Sequence, residues 1–289
     1  MEIKNLQNEH RKITNKKGSF TVLENLRDVS VSPWNATSAY FMEKMGVRRR
    51  QIVATLNGEN TIITQAGAMQ WMAGNVSVST GVKSAGDFLG KMVKGAVTKE
   101  SGIKPEYTGK GYLILEPTYK YLILQDVEEW GPSGVSVEDG MFLACEGTVK
   151  RNVVSRKNLS SAVLGGEGLF NLSLSGSGVV CLESNVPMEE LVEVELDNEE
   201  LKIDGNLAVC WSSSLQFTVE RTTKTLIGSA ASGEGLVNVY RGTGKVLMSP
   251  YAPTSSLYAS TNTVAAKSAA PTSNTLGALG GFIGGMLDN

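Results

Sequence analysis

The stretch GGEGLFNLSLSGSG, Gly165–Gly178, decides the fold, because SGEGLVNVYRGTG, Ser232–Gly244, repeats it further along the chain. In both copies apolar and polar residues alternate after Gly-Glu-Gly, which is the period of a half-buried strand. Each copy ends in Gly-x-Gly and continues into a second short apolar run, VVCLES or KVLMSP. This pattern predicts two β-hairpins with glycine-dependent turns.

A second repeated segment precedes each hairpin: EDGMFLACEGTV, Glu138–Val149, and IDGNLAVCWSSSL, Ile203–Leu215. A third copy, QAGAMQWMAGNV at Gln65–Val76, precedes the weaker hairpin YTGKGYLILEPTYKYLILQD at Tyr107–Asp126. We assign Gly109-Lys110-Gly111 of that hairpin to the Gly-Glu-Gly position. Three small all-β repeats are therefore predicted. Their shared turn residues are expected to be structural: Gly67, Gly140, Gly166, Glu167, Gly168, Gly205, Gly233, Glu234 and Gly235.

The first repeat carries an insertion, at about 82–101, whose apolar residues recur at helical spacing. This short helix either packs over an open end of a β-sandwich or binds a partner or a membrane surface. The predicted organisation is an N-terminal extension at 1–35, repeats at 36–129, 130–185 and 186–251, and a tail at 252–289.

The quoted segments, together with ITQAGAMQWMAGNV and DGNLAVCWSSSLQFTVER, resemble the altered-inheritance-of-mitochondria (mitochondrial biogenesis factor) family over roughly Phe41 to Pro250. The chain is similar to the bacterial-type members of that family. The resemblance implies three β-sandwich domains like that of the tryptophan RNA-binding attenuation protein (TRAP), arranged around a pseudo-threefold axis. It implies no catalytic residues.

Composition and charge narrow the function. The chain has 289 residues and a net charge of −2, which gives no general attraction to nucleic acid. The best local feature for RNA is VRRRQ, Val47–Gln51, with Tyr40 and Phe41 as the only aromatic residues nearby in the sequence. Nucleic acid is therefore not an expected partner. No apolar run approaches a membrane span or a secretion signal, so we expect a cytoplasmic protein.

No arrangement of residues identifies a reaction. His10 is the only histidine, which disfavours Ser-His-Asp and Cys-His chemistry. Glu167 and Glu234 could be proposed as an acid/base pair, yet their equivalent positions favour a structural role. Met72, Cys145 and Cys210 are equivalent by repeat and could hold a soft metal, although such side chains usually pack as apolar groups. We expect no cofactor, no metal and no enzymatic activity.

The tail after Pro250 is rich in Ser, Thr, Ala and Pro and has the composition of a linker. It ends in an apolar tip that is either inert, or folded onto a sister subunit, or a docking peptide for a protein or membrane surface. The residues of the tip are Leu276, Leu279, Phe282, Ile283, Met286 and Leu287.

The acidic segment ELVEVELDNEE, Glu190–Glu200, is expected to form an edge strand whose charges oppose pairing with other sheets. The sequence as a whole predicts a self-associating, non-enzymatic assembly or scaffold protein. The alternative is an RNA- or small-ligand-binding module of the TRAP-like fold.

Overall fold

A computed structural model describes residues 2–81, 104–155, 170–221 and 236–251. In chain order the elements are β1 (Arg11–Lys17), β2 (Phe20–Asn25), α1 (Ala36–Lys44), β3 (Arg50–Asn57), β4 (Ile62–Thr64), β5 (Met69–Ser79), β6 (Glu106–Leu115), β7 (Tyr121–Asp126), β8 (Val135–Val137), β9 (Phe142–Glu146), β10 (Val149–Ser155), β11 (Phe170–Gly176), β12 (Val179–Ser184), β13 (Val192–Asp204), β14 (Ala208–Ser212), β15 (Gln216–Arg221) and β16 (Leu236–Met248). Short 3₁₀ turns cover Val127–Trp130 and Met188–Glu190. The helix predicted at 82–101, both Gly-Glu-Gly triplets and the tail after Tyr251 lie outside the described residues.

The strands form two antiparallel sheets. Sheet A has the order β1-β2-β3-β6-β4-β9-β12-β7, with β5 added on β6, and sheet B has the order β10-β11-β8-β14-β16-β13, with β15 added on β16. The predicted all-β class is therefore confirmed. The middle segment of the chain supplies strands to both sheets, because β7, β9 and β12 lie in sheet A while β8, β10 and β11 lie in sheet B.

Four apolar clusters among the described residues follow from the alternation of side chains along these strands, and the smallest comprises Leu23, Val53 and Ile114. The three larger ones are the main cores. The first lies within the curl of sheet A and includes Phe20, Ile52 and Leu113. The second joins sheet A to sheet B, because residues of β9 and β12 pack with residues of β8, β11 and β14. The third lies on sheet B, where Trp211, Phe217 and Tyr240 form an aromatic cluster.

The predicted hairpins are wrong. The strand β11 belongs to sheet B and β12 to sheet A, so the chain crosses between sheets at residues 176–178. In the second copy, Gly242-Thr243-Gly244 lies inside the continuous strand β16. In the first, β6 pairs with β3, β4 and β5, whereas β7 pairs with β12. Glycines at positive φ let a strand bulge and bend, and the same residues also suit a tight turn.

Strand register also corrects one assignment within the repeat. Gly109-Lys110-Gly111 of β6 lies opposite Gly74–Val76 of β5. Gly176-Ser177-Gly178 lies beside the corresponding segment 147–149. The Gly-Lys-Gly sequence therefore corresponds to Gly-Ser-Gly, and not to the Gly-Glu-Gly triplets further upstream.

The acidic edge strand is confirmed. The strand β13 is the last strand of sheet B and pairs only with β16 among the described strands. Leu196 and Ile203 point into the core, while most of the acidic side chains of β13 are exposed. A register shift between Leu196 and Glu199 includes Asn198 at a φ of 58°, so the buried face changes its phase along the strand.

Candidate interaction surface

The described glycines of the repeated turns share one backbone conformation. Gly67, Gly140 and Gly205 have φ values of 79°, 76° and 72°, in the left-handed region that favours glycine. The side-chain amide of Asn238 donates a hydrogen bond to the carbonyl oxygen of Gly205 over 3.0 Å, which joins that turn to β16.

The sulfur atoms of Met72, Cys145 and Cys210 do not share one environment. Met72 is 39% exposed, whereas Cys145 and Cys210 are fully buried in the core that joins the sheets. Burial raises the pKa of the Cys145 thiol to about 12, so it is a neutral core residue at physiological pH. Within the described residues, no group of three or more His, Cys, Asp or Glu side chains is arranged to hold a metal ion.

The arginine triplet at 48–50 is paired with carboxylates. The buried Arg50 donates from Nε to Glu24 Oε2 over 2.7 Å and stacks on the Tyr121 ring. Arg48 lies 3.7 Å from the other oxygen of Glu24, and Arg49 pairs with Asp28. These ion pairs reduce the positive charge that the triplet offers to an RNA backbone.

Just before the arginines, the sequence forms the helix α1. Asn35 is its N-cap residue, and Gly46, at a φ of 72°, ends it in the left-handed conformation. The amide of Val47 then donates to the carbonyl oxygen of Met42 over 2.8 Å. None of the helical residues is buried. The helix was not predicted, although Asn35 and Gly46 are typical start and stop signals.

The helix and the segment before it present apolar side chains to solvent. Trp34 is 96% exposed and Met45 is 78% exposed. We call this surface the N-terminal apolar patch, and its members are Val29, Val31, Trp34, Tyr40, Phe41, Met45 and Val47. Single exposed apolar residues are ordinary, but a contiguous group on one short segment is typical of a contact surface.

Charged groups lie beside α1. A hollow of about 110 Å³ lies beneath α1 and is lined by Arg27, Arg48 and Arg49 and also by Asp28 and Glu43. Arg27 Nε lies 3.4 Å from Glu43 Oε2. From Glu24 to Arg50 the chain carries five basic and three acidic residues, which leaves an excess of two positive charges on a chain whose net charge is −2.

The fold and this surface define an all-β protein with an exposed apolar surface. The family model for Mitochondrial biogenesis AIM24 matches residues 42–251, so the chain belongs to that family. An uncharacterized protein of Streptococcus pyogenes serotype M6 is 29% identical over 194 residues, which cover 64% of this chain and 75% of that protein.

A crystal structure of another Streptococcus pyogenes protein has the same fold. The match has a TM-score of 0.55 and 21% identity, and it covers 89% of this chain and 99% of the streptococcal chain. In the part of the chain that the structure describes, no helix is long and apolar enough to cross a membrane.

Proposed function

We propose that this chain is a non-enzymatic assembly or scaffold protein that makes contact through the N-terminal apolar patch. The observation that carries this proposal is the exposure of Phe41 on α1 and of Trp34 and Met45 close to its two ends, while α1 itself buries none of its residues. Burying a large apolar side chain contributes about 1.5–3 kcal/mol of free energy. A partner that covers several of these side chains would therefore gain several kcal/mol of binding free energy from them.

We further propose that the core consists of three TRAP-like repeats around a pseudo-threefold axis and that the chain self-associates. Three observations support the repeats. The turn glycines recur with nearly the same φ, and the strand after each turn, β5, β9 or β14, pairs with a later strand, β6, β12 or β16. The Gly-x-Gly sites recur in those later segments at positive φ.

Side-chain oxidation by hydroxyl radicals tests the contact surface without knowledge of the partner. Trp34 and Met45 should be oxidised more slowly in intact cells than in the purified full-length protein, because the partner covers them. Met188, which is 40% exposed outside the patch, is the internal control and should react alike in both samples. Equal oxidation of Trp34 and Met45 in cells and in pure protein would refute the proposal.

A small-ligand-binding role is the second candidate. An open hollow of about 580 Å³ beside β13 and β16 is lined by Trp130, Glu195, Asp197, Glu199 and Lys245, with further residues of the same strands. Its lining has four acidic side chains, Glu129, Glu195, Asp197 and Glu199, and one basic side chain, Lys245. This excess of carboxylates favours a small cationic ligand. The test is a screen of small amines for a thermal shift that Glu195→Gln with Asp197→Asn abolishes.

A further inference from the structure

We propose that the partner covering the N-terminal apolar patch is an anionic lipid surface. This inference rests on the proposed function only in taking the patch as the contact surface. The argument uses the types of exposed side chain, the charge around them and the way in which α1 is attached to the sheet.

The exposed side chains are those that favour a membrane interface. Trp34, Tyr40 and Phe41 are aromatic, and Met45 is long and flexible. Tryptophan and tyrosine side chains are enriched at the boundary between headgroups and acyl chains, because the ring is apolar while the indole N–H or the hydroxyl can still bind water. Tyr40 and Phe41 pack edge to face with ring centroids 5.4 Å apart, so they form one apolar unit.

The charge around the patch complements an anionic surface. The three acidic side chains of the segment pair with its arginines, and two positive charges remain in excess on the segment that carries the apolar side chains. Lys44 has its Nζ 5.4 Å from the Tyr40 ring centre, on the same short helix. Basic side chains close to an anionic leaflet each contribute about 1 kcal/mol of attraction. The preceding residues 2–23 are also net basic, with five basic and two acidic side chains, so an anionic surface attracts this end of the chain.

The attachment of α1 suits surface binding. The flanking strands β2 and β3 pair directly with each other, from Phe20↔Ala54 to Glu24↔Arg50. The connection between β2 and β3, which contains α1, therefore lies outside the sheet. A nine-residue helix is far too short to span a bilayer, but it can lie in the plane of the interface with apolar side chains inserted.

Tryptophan fluorescence of the full-length protein measures this binding. Trp130 and Trp211 are buried, whereas Trp34 is 96% and Trp71 is 40% exposed. In a Trp71→Phe background, Trp34 is the exposed tryptophan that reports on contact. Vesicles of phosphatidylcholine and phosphatidylglycerol in equal parts should shift the emission of Trp34 to shorter wavelength. A titration with vesicles of phosphatidylcholine alone should give an affinity at least about tenfold lower. Added salt should weaken the binding to the anionic vesicles.

A matched pair of variants assigns the binding to the patch by vesicle co-sedimentation. Phe41→Ser with Met45→Ser should reduce the affinity by about tenfold or more. Val153→Ser with Val154→Ser changes side chains that are also exposed, on β10, and should leave the affinity unchanged. Circular dichroism confirms that both variants fold.

The outcomes separate this inference from the proposed function. Binding to anionic vesicles that the patch variant loses and the β10 variant keeps supports the inference. If no vesicle is bound, or if both variants bind as the parent does, the lipid inference fails. If oxidation of Trp34 and Met45 is still slower in cells, the contact surface then has a protein partner and the proposed function stands. If that protection is also absent, both proposals fail.

Discussion

The side chain of Glu146, at the end of β9, joins the N-terminal strands to the rest of the protein. Its Oε1 accepts hydrogen bonds from the amide of Ser19 over 2.8 Å and from the hydroxyl of Ser19 over 2.6 Å. Its Oε2 accepts from the amide of Val179 over 3.0 Å. One half-buried carboxylate thus connects the β1–β2 turn to the crossing between the sheets.

The magnitude follows from these three bonds. A hydrogen bond to a charged group contributes about 1.5–3 kcal/mol, and a buried amide that loses its acceptor costs about 1–3 kcal/mol. Because the site is only half-buried, water replaces part of the loss. We expect Glu146→Ala to lower the free energy of unfolding by about 2–4 kcal/mol, and Glu146→Gln by about half as much, because one amide oxygen still accepts.

Urea unfolding followed by circular dichroism measures the difference. Glu129→Ala is the matched control, because Glu129 makes one exposed ion pair with Lys17 over 2.8 Å. That pair contributes less than about 1 kcal/mol. A Glu146→Ala protein that unfolds within about 0.5 kcal/mol of the parent would refute the reasoning, since mutational effects of that size are typical of surface positions.

Four further predictions follow from named groups. In urea unfolding, Gly134→Ala should lower the free energy of unfolding by more than about 3 kcal/mol, because the new Cβ would collide with the backbone of Leu174. Gly58→Ala is the control: it has open space around it and should lower the free energy of unfolding by only about 1 kcal/mol, through backbone strain. Hydrogen bonds from Arg241, and to a lesser extent from Thr218, lower the pKa of Glu220 to about 2. The carboxylate therefore stabilises the fold above its unfolded pKa, near 4.3, and this contribution is lost as the pH falls through about 2. The free energies of unfolding of the parent and of Glu220→Gln should differ by less than about 1 kcal/mol at neutral pH, because the pair is exposed, and the difference should vanish in acid. The three buried cysteine thiols should react with a thiol reagent only after unfolding, and reaction in the native state would contradict their burial. A chain ending at Pro253 should keep its unfolding midpoint and the contacts of the N-terminal apolar patch, and lose only the partner that the apolar tip of the tail binds; if it unfolds the tail is structural, and if it keeps every partner the tail is inert.

The sequence predicted most strands but not their partners. Alternation along Phe170–Ser175 and Val192–Leu196 identifies strands, because the side-chain period depends only on local geometry. The partner of a strand depends on contacts far away in the chain. The run Gly-Ser-Gly at 176–178 fits a hairpin turn and a sheet crossing equally well, and only the pairing of β12 with β7 and β9 decides between them.

The candidate site was predicted less well than the fold. The tip and the Gly-Glu-Gly triplets, which the sequence emphasised, lie outside the described residues. The helix α1 covers only Ala36–Lys44, which is too short for a clear helical period. The sequence pointed to the arginine triplet as the best local feature for RNA. Its partners Glu24 and Asp28 lie about 20 residues earlier in the chain, so the ion pairs that neutralise it are seen only in the folded structure.

The position of the patch in the fold explains why it is best understood as a contact surface. Since β2 and β3 pair directly, the sheet needs only a turn between them. The connection instead carries Trp34, Phe41 and Met45, whose exposure shows that they contribute little to the described cores. Apolar side chains outside any core stay in contact with water, which is unfavourable. Burial against a partner would remove this contact and so favour binding. In the proposed association the free energy would therefore come from a segment outside the sheets, and substitutions on this surface should leave the sheets intact.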